Sequence, residues 1–202
     1  HGYVKEKHMK RRVVVTGIGA LTPIGNNVND TWKGILNHQC GIDLIQSFDT
    51  SNMKVKVAGE LKDFEATEYL DKKDVRKMDK FIQYGLIAAK EAIKDSKLEI
   101  DSINHDRFGV VVSSGIGGLG SIEENHQRGL KKGFDRVSPY FIPMTIVNLA
   151  AGQIAIAFKA QGLATCPVTA CAGGTNAIGD AFRNIRDGYL DVTIAGGCEA
   201  SI

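Results

Sequence analysis

Short apolar segments alternate with longer segments of helical periodicity, and this order limits the folds open to the chain more than any other feature. Residues 108–112 are an uninterrupted apolar run before a glycine cluster, and residues 121–130 follow with a polar-faced helical pattern. The same order returns in a strand pattern at 164–170, a helical pattern at 171–186 and a last strand pattern at 190–195. Strands that alternate with helices predict a layered α/β domain with a mostly parallel sheet.

The rest of the chain adds further elements of the same kinds. Its patterns predict a strand at 11–16, a short helix N-capped by Asn29, a hairpin strand at 54–58, a helix at 79–96 and a helix at 145–158. The first of these is β-branched and breaks at Gly17, which predicts an internal strand. The last is apolar nearly all round, which predicts burial in the interior or in a subunit interface.

Composition excludes several classes of function. The net charge is +2, and basic runs interleaved with aromatic residues do not occur, so nucleic acid is not an expected partner. The longest apolar stretch is too short to span a bilayer, and no signal peptide opens the chain, which favours a cytoplasmic protein. Residues 1–8 are expected to be the remnant of an added tag, with Met9 as the native start and one undivided domain at 9–202.

The four cysteines favour free thiols over structural roles. They contain no C-x-x-C pair and have no neighbouring histidines at zinc-finger spacing, so no structural metal is expected. Without a secretion signal, a reducing cytosol is favoured over two disulfides. The thiols are therefore expected to be available for chemistry.

Cys171 stands at the predicted junction of a strand and a helix. Its side chain is therefore expected at the carboxyl edge of the sheet, where the sites of open α/β sheets gather. The helix N-terminus would stabilise a thiolate and a developing oxyanion, and Gly173 and Gly174 would let a substrate approach the backbone. Cys171 is thus a candidate nucleophile; burial as a small packing residue is the alternative, which we keep for Cys40, Cys166 and Cys198.

Residues 115–120 match G-x-G-x-x-G between a predicted strand and a predicted helix, the pattern of a dinucleotide-binding turn. The match is weak, because the fingerprint needs an acidic residue about 20 positions later at the end of a second strand. Asp135 is near that distance but lies in a predicted loop. A structural turn is therefore favoured over a nucleotide site.

Residues 168–180, Val-Thr-Ala-Cys-Ala-Gly-Gly-Thr-Asn-Ala-Ile-Gly-Asp, closely resemble the active-site segment of the type II β-ketoacyl-acyl-carrier-protein synthases. Further resembling segments lie at 12–19, 114–118, 142–144 and 195–199, so that the resemblance covers nearly all of residues 10–202. It implies a thiolase-like fold with α/β/α layers and two similar halves, of which residues 9–202 would be the N-terminal one. It also implies a homodimeric acyltransferase that elongates acyl chains in fatty-acid biosynthesis by decarboxylative condensation with malonyl carrier.

The resemblance also implies roles for single residues. Cys171 matches the nucleophile that carries the acyl thioester. Ile116 matches a residue at the floor or gate of the acyl pocket, and Phe141 matches one near the pocket across the dimer, with plain packing as the alternative for both. No metal and no separate cofactor are implied, because the substrate is carried on the phosphopantetheine arm of acyl carrier protein.

Two features depart from the family. Gly173 stands where a hydroxyl residue is usual. The two family histidines that hold the malonyl thioester belong to the second half, and none of the five histidines here lies in a matching motif. The chain is therefore expected to be an incomplete form, and a folded half would expose a broad apolar surface where its sister half packs.

Lys73, Arg76, Lys77 and Lys80 have the spacing 0, 3, 4 and 7, so a helix through them would carry one basic face. A solvated helix face is one interpretation. The resemblance favours the other, because Lys73, Arg76 and Lys77 match basic positions at which condensing enzymes dock an acidic carrier protein.

The favoured function is an acyltransferase in which Cys171 accepts an acyl group from a carrier thioester. A polyketide ketosynthase or a thiolase on the same fold is one alternative. A non-catalytic ketosynthase-like scaffold is the other, and the presence of Cys171 argues against it.

Overall fold

The computed structural model describes residues 11–202, so the predicted tag remnant at 1–8 and the start at Met9 lie outside the described residues. The described chain contains the helices α1 (Val28–Leu36), α2 (Lys72–Val75), α3 (Lys80–Ser96), α4 (Leu119–Lys132), α5 (Phe141–Thr145), α6 (Leu149–Ala157) and α7 (Gly173–Arg186). Its strands are β1 (Asp43–Leu44), β2 (Val57–Ala58), β3 (Phe108–Ser113), β4 (Ala164–Thr165) and β5 (Val192–Gly197).

The central sheet has three parallel strands in the order β4-β3-β5. β3 is buried along its whole length, as expected for a strand with helices on both faces. Val110 and Val112 belong to the core cluster that includes α3 and α6. Val111 points to the other face, against Ala177 and Ala181 of α7. The predicted layered α/β arrangement with a parallel sheet is confirmed.

The strand order places a crevice at the carboxyl end of β3. The chain passes from β3 through α4, α5 and α6 to β4 on one side, then through α7 to β5 on the other side. Two crossovers of the same hand that lead to opposite sides of a strand lie on opposite faces of the sheet. Accordingly, α6 packs on one face of β3 and α7 on the other. Ligands of open α/β sheets bind at such a reversal, outside the carboxyl ends of the strands.

One carboxylate fixes the beginnings of both α3 and α4. Oδ1 of Asp79 accepts a hydrogen bond from the N–H of Phe81 at 3.1 Å, which caps α3. Oδ2 accepts from the N–H and the hydroxyl of Ser121, in the first turn of α4, at 3.1 and 2.6 Å. Asp79 is only 6% exposed, so these three donors replace its water. The helix predicted at 79–96 is confirmed, with Asp79 as its cap.

The internal strand predicted at 11–16 is wrong for the described chain. This segment has no ladder pairing, and Val14 and Val15 are 60% and 79% exposed. The residues that follow pack on α3 instead, since the N–H of Ile18 donates to Asp95 at 3.0 Å and the N–H of Ala20 donates to Glu91 at 2.9 Å. The β-branched run has strand propensity, but no neighbouring strand supplies its hydrogen bonds.

Two predicted helices have different limits in the structure. The segment at 145–158 is divided, because α5 ends at Thr145 and α6 begins only at Leu149. α6 buries Ala150 and Ile154 but leaves Ile156 exposed, so it is interior on one face rather than all round. α1 is capped by Asn27, whose side chain accepts from the N–H of Asp30 at 2.8 Å, and not by Asn29.

The hairpin predicted at 54–58 is confirmed over a shorter span, as β2 pairs antiparallel with β1. Within residues 11–202, no helix has the length and apolar character that a membrane span requires.

Candidate active site

Cys171 lies in a turn between β4 and α7. β4 ends at Thr165, five residues before the predicted limit, and α7 begins at Gly173, two residues after the predicted one. A 3-10 turn over Ala170–Ala172 occupies the interval before the helix, and Cys171 is its central residue. The predicted strand-to-helix placement of Cys171 is therefore correct in kind, and the side chain is exposed.

The backbone immediately before Cys171 is strained. Ala170 has φ +48°, in the left-handed region that a residue with a Cβ rarely adopts. The N–H of Ala172 donates to the carbonyl of Thr169 at 3.1 Å and closes the turn. Strained backbone of this kind persists only where the surroundings hold it, and it is concentrated at functional sites.

The N-terminus of α7 faces the same turn. Its N-cap residue, Ala172, makes no side-chain cap hydrogen bond, so no side-chain acceptor at the cap occupies the first N–H groups of the helix. Such N–H groups, with the positive end of the helix dipole, stabilise a thiolate and a developing oxyanion. This geometry supports a nucleophilic role for Cys171.

The other three cysteines differ from Cys171 in burial or in setting. Burial raises the pKa of the Cys198 thiol to about 12, and the Glu199 carboxylate acts in the same direction. Burial also raises the pKa of Cys166. Both remain neutral thiols at physiological pH. The burial expected for Cys40 is wrong, because its side chain is exposed like that of Cys171. Cys40 nevertheless differs in setting: it lies after the C-terminal end of α1, with its Sγ 3.7 Å from the carbonyl oxygen of Ile42.

A carboxylate from the end of β5 holds the glycine-rich loop after β3. Oε2 of Glu199 accepts from the N–H groups of Gly115 and Ile116 at 2.8 and 3.1 Å. Oε1 accepts from the hydroxyl of Ser114 at 3.2 Å. The protein's own carboxylate thus occupies loop N–H groups that a dinucleotide phosphate would need, and its charge would repel a phosphate. The structural-turn interpretation of residues 115–120 is supported.

The same loop adjoins the Cys171 turn. A Cβ added to Gly115 would lie 3.9 Å from the Cα of Ala170 and 2.8 Å from Oε2 of Glu199. The loop and the turn therefore pack closely at the carboxyl edge of the sheet. Ile116 is the next residue of the loop and is exposed, so the structure brings this predicted acyl-pocket residue into the neighbourhood of Cys171.

Phe141 is connected to the loop less directly. It is the first residue of α5 and is half-buried. The other end of α5 contacts the loop, since the carbonyl of Thr145 accepts from the N–H of Gly118 at 3.2 Å. A Cβ at Gly117, which has φ +75°, would lie 2.5 Å from that carbonyl oxygen. The structure thus joins α5 to the loop through Thr145, at the end opposite to Phe141.

A surface cleft of about 790 Å³ lies elsewhere. Its lining includes Phe64, Tyr84 and Glu199 but not Cys171, Ile116 or Phe141. The acyl pocket predicted from these residues is therefore not this cleft.

The predicted single basic helix face is wrong. Lys73 lies in α2, Arg76 caps its C-terminus, Lys77 follows, and Lys80 begins the separate helix α3. Buried Asp79 ends the first segment by capping the second helix. Lys73, Arg76 and Lys77 are all exposed, and no carboxylate of the described chain forms an ion pair with them. Nζ of Lys77 lies 5.6 Å from the ring centroid of Tyr140, next to Phe141.

Metal ligands do not gather in the described part of the chain. No group of three or more His, Cys, Asp or Glu side chains within residues 11–202 is placed to hold a metal ion. His105 precedes β3, at the edge of the sheet opposite to Cys171, with its Nδ1 2.7 Å from the carbonyl oxygen of Lys159. His126 lies on α4 beside the ring of Phe134.

Two residues that build the site were not identified from the sequence. Besides Glu199, Ser113 at the end of β3 donates its hydroxyl to the carbonyl of Pro167 at 2.6 Å. Both contacts join residues more than 50 positions apart, so local spacing does not reveal them. The available signals were a serine that ends an apolar strand and a carboxylate directly after the last strand pattern.

The layered sheet with a cysteine turn at its switch point is the arrangement that the resemblance to the thiolase-like condensing enzymes implies. Residues 10–202 match the family described as Beta-ketoacyl synthase, N-terminal domain. The chain belongs to this family, which confirms the resemblance found in the sequence.

Known relatives agree with this assignment. The chain is 48% identical over 193 residues to 3-oxoacyl-acyl-carrier-protein synthase 2 of Synechocystis sp., covering 96% of this chain and 46% of the relative. It is 48% identical over 192 residues to the protein of the same name from Staphylococcus aureus, covering 95% and 46%. The chain thus spans less than half the length of these curated relatives.

Solved structures show the same fold. The ishigamide ketosynthase/chain length factor superposes with a TM-score of 0.86 at 27% identity, covering 93% of this chain and 47% of that one. A type II polyketide synthase acyl-carrier protein in complex with its ketosynthase gives 0.80 at 27% identity, covering 95% and 51%. The predicted ketosynthase fold is confirmed.

Proposed function

We propose that the chain is the nucleophile-bearing N-terminal part of a 3-oxoacyl-acyl-carrier-protein synthase that elongates acyl chains in fatty-acid biosynthesis. One observation carries the proposal: Cys171 is exposed on a strained turn at the N-terminus of α7, at the carboxyl edge of the sheet. Relatives of that name at 48% identity favour the fatty-acid enzyme over the polyketide ketosynthases, which match at 27%.

The first step transfers an acyl group to Cys171. Its thiolate Sγ attacks the carbonyl carbon of a carrier thioester, the bond between that carbon and the carrier sulfur breaks, and the carrier leaves as a thiol after taking up a proton. The N–H groups at the start of α7 stabilise the oxyanion formed on the way. The phosphopantetheine arm of acyl carrier protein brings the acyl group and is part of the substrate.

The second step joins the acyl group to a malonyl carrier. Loss of carbon dioxide from the malonyl unit leaves an enolate carbon, which attacks the acyl carbonyl and expels the Cys171 thiolate. We assign this step to the complete enzyme, whose second half would supply the two histidines that the family uses. Ile116 lines the acyl pocket in this proposal because its loop adjoins Cys171. Phe141 lies near the pocket across the dimer in this proposal, as the resemblance implies.

An exposed apolar face on α7 supports a second half and a homodimer. The outer face of α7 contributes Ile178 and Phe182, whose side chains are 56% and 44% exposed. Apolar surface on the outside of a complete layer indicates that a further layer packs there. Four free thiols suit a reducing compartment, and we place the protein in the cytoplasm.

We propose that Lys73, Arg76 and Lys77 dock the acidic carrier protein. Their side chains are exposed without carboxylate partners, and Lys77 contacts Tyr140 beside Phe141. Charge reversal of the three should raise KM for carrier-borne acyl groups and leave small acyl thioesters unaffected. Reversal of Lys131 and Lys132, exposed at the end of α4, is the matched control. An equal loss on both kinds of substrate would contradict docking at this segment.

Competition between Cys171 and Cys40 for a limiting thiol reagent tests the nucleophile. Both side chains are exposed, but only Cys171 lies at a helix N-terminus. Peptide mass spectrometry at neutral pH should find Cys171 modified at least tenfold faster, which corresponds to about 1.4 kcal/mol. Equal labelling of the two would favour the scaffold alternative.

A further inference from the structure

The hydroxyl of Ser113 fills the space that a side chain at position 173 would need. A Cβ added to Gly173 would lie 2.0 Å from Oγ and 2.9 Å from Cβ of Ser113. Both residues are buried. Gly173 has φ −56°, an ordinary helical value, so the backbone conformation does not demand glycine there. Glycine is required there because α7 approaches Ser113 so closely.

The same hydroxyl makes a contact on the path to Cys171. The ladder between β3 and β4 ends at the pair Val111 and Thr165, and Pro167 has no N–H with which to continue it. Beyond that point, Oγ of Ser113 donates to the carbonyl of Pro167 at 2.6 Å. The strands therefore stay joined, through a side chain, along the segment that enters the strained turn.

A second contact of this kind lies beside the first. The N–H of Ser114 donates to Sγ of Cys166 at 3.3 Å. Side-chain hydrogen bonds thus join the two segments beyond the end of the β3–β4 ladder, from Ser113 and Ser114 to Pro167 and Cys166. These contacts hold Cys166 and Pro167, which lie five and four residues before Cys171.

We propose that Ser113 is a positioning residue for Cys171, and that its hydroxyl and the glycine at position 173 form one coupled unit. The inference rests on the proposed function, in which Cys171 is the nucleophile. The Cβ position of residue 173 is 3.8 Å from the carbonyl oxygen of Pro167. A hydroxyl carried from α7 would therefore reach the same carbonyl once Ser113 is reduced to glycine. Ser113 supplies from β3 the hydroxyl that the resemblance led us to expect at position 173.

Three variants of the purified protein test this coupling. Gly173→Ser alone places a side chain against Ser113, so the Ser113 hydroxyl loses Pro167 or α7 moves. Ser113→Gly alone removes the hydroxyl. The double variant exchanges the two residues and restores one hydroxyl in one space. The rate of Cys171 modification by an acylating reagent is measured in each, with Cys40 in the same sample as the internal control.

We expect Gly173→Ser to slow the modification of Cys171 at least tenfold, which corresponds to about 1.4 kcal/mol in activation free energy. Ser113→Gly should slow the modification severalfold. In the double variant, the rate should return to within about threefold of the rate in the protein without substitutions. The rate at Cys40 should stay constant throughout. If the single variants acted only by lowering general stability, the double variant would not recover the ratio of the Cys171 rate to the Cys40 rate.

The coupling is overturned if Cys171 reacts no faster in the double variant than in Gly173→Ser. This holds even where Cys171 reacts ahead of Cys40 in the protein without substitutions. A double variant that does not fold overturns it as well, whereas a Gly173→Ser protein that folds only when Ser113→Gly is added supports it. Equal reactivity of Cys171 and Cys40 in the unmodified protein contradicts the proposed function itself. The two failures are therefore distinguishable.

Discussion

Replacement of Asp79 by alanine should cost far more stability than replacement of an ordinary helix cap. The carboxylate is buried and accepts three hydrogen bonds, from Phe81 N–H and from the N–H and hydroxyl of Ser121. Loss of a cap costs about 1 kcal/mol, and each buried donor left without its charged acceptor costs about 1–3 kcal/mol. With partial relaxation, we expect Asp79→Ala to lower the free energy of unfolding by about 3–5 kcal/mol.

Asp71→Ala is the matched control, because Asp71 caps α2 from an exposed position, accepting from the N–H of Lys73 at 2.7 Å. It should cost about 1 kcal/mol. Asp79→Asn keeps the cap of α3 but presents an amide N–H₂ to the N–H of Ser121, and should fall between the two. Urea denaturation followed by circular dichroism measures all three. An Asp79→Ala cost equal to that of Asp71→Ala would refute the shared-cap interpretation.

Three further outcomes follow from single side chains. Glu199→Ala should raise amide hydrogen exchange at Gly115 and Ile116 at least tenfold; unchanged protection would show that Glu199 does not hold the loop. Hydrogen bonds from Arg107 and Arg11 lower the pKa of Asp191 from 3.8 to about 2, so the unfolded state binds more protons between these pH values and the folded protein loses stability as pH falls through them. The loss should be modest because the ion pair is exposed. Asp191→Asn should abolish this loss of stability in acid, and an acid profile identical to that of the original protein would contradict the prediction. Cys198, with its pKa at about 12, should resist alkylation from neutral to mildly alkaline pH until the protein is unfolded in urea; rapid labelling of the folded protein would contradict its burial.

Local patterns predicted the elements that are set by their own side chains. Residues 108–112 are apolar without interruption and form a strand buried on both faces, as a short apolar run that ends at turn residues predicts. Residues 79–96 carry a helical stripe with a capping aspartate, and α3 follows it closely. The placement of Cys171 between strand and helix came from the same reasoning, although the left-handed Ala170 delays the helix by two residues.

Elements that depend on distant partners were not predictable. The β-branched segment at 11–16 has strand propensity, but its conformation depends on a pairing partner that the described chain does not provide. The contacts of Ser113 and Glu199 join the ends of different strands and become apparent only once the sheet order is known.

The prediction of a single basic helix face was wrong for a local reason that is visible in the sequence. Asp71 and Asp79 are both capping residues, and they mark the beginnings of two separate helices.

Acyl transfer from a carrier protein tests the central claim most directly. The protein is incubated with an acyl carrier protein whose phosphopantetheine arm bears an acyl group, and the adduct is located by intact and peptide mass spectrometry. We expect one acyl group per chain, on the peptide that contains Cys171, which disappears in Cys171→Ala and remains in Cys40→Ala. Acylation that persists in Cys171→Ala, or that is shared equally with Cys40, would contradict the account.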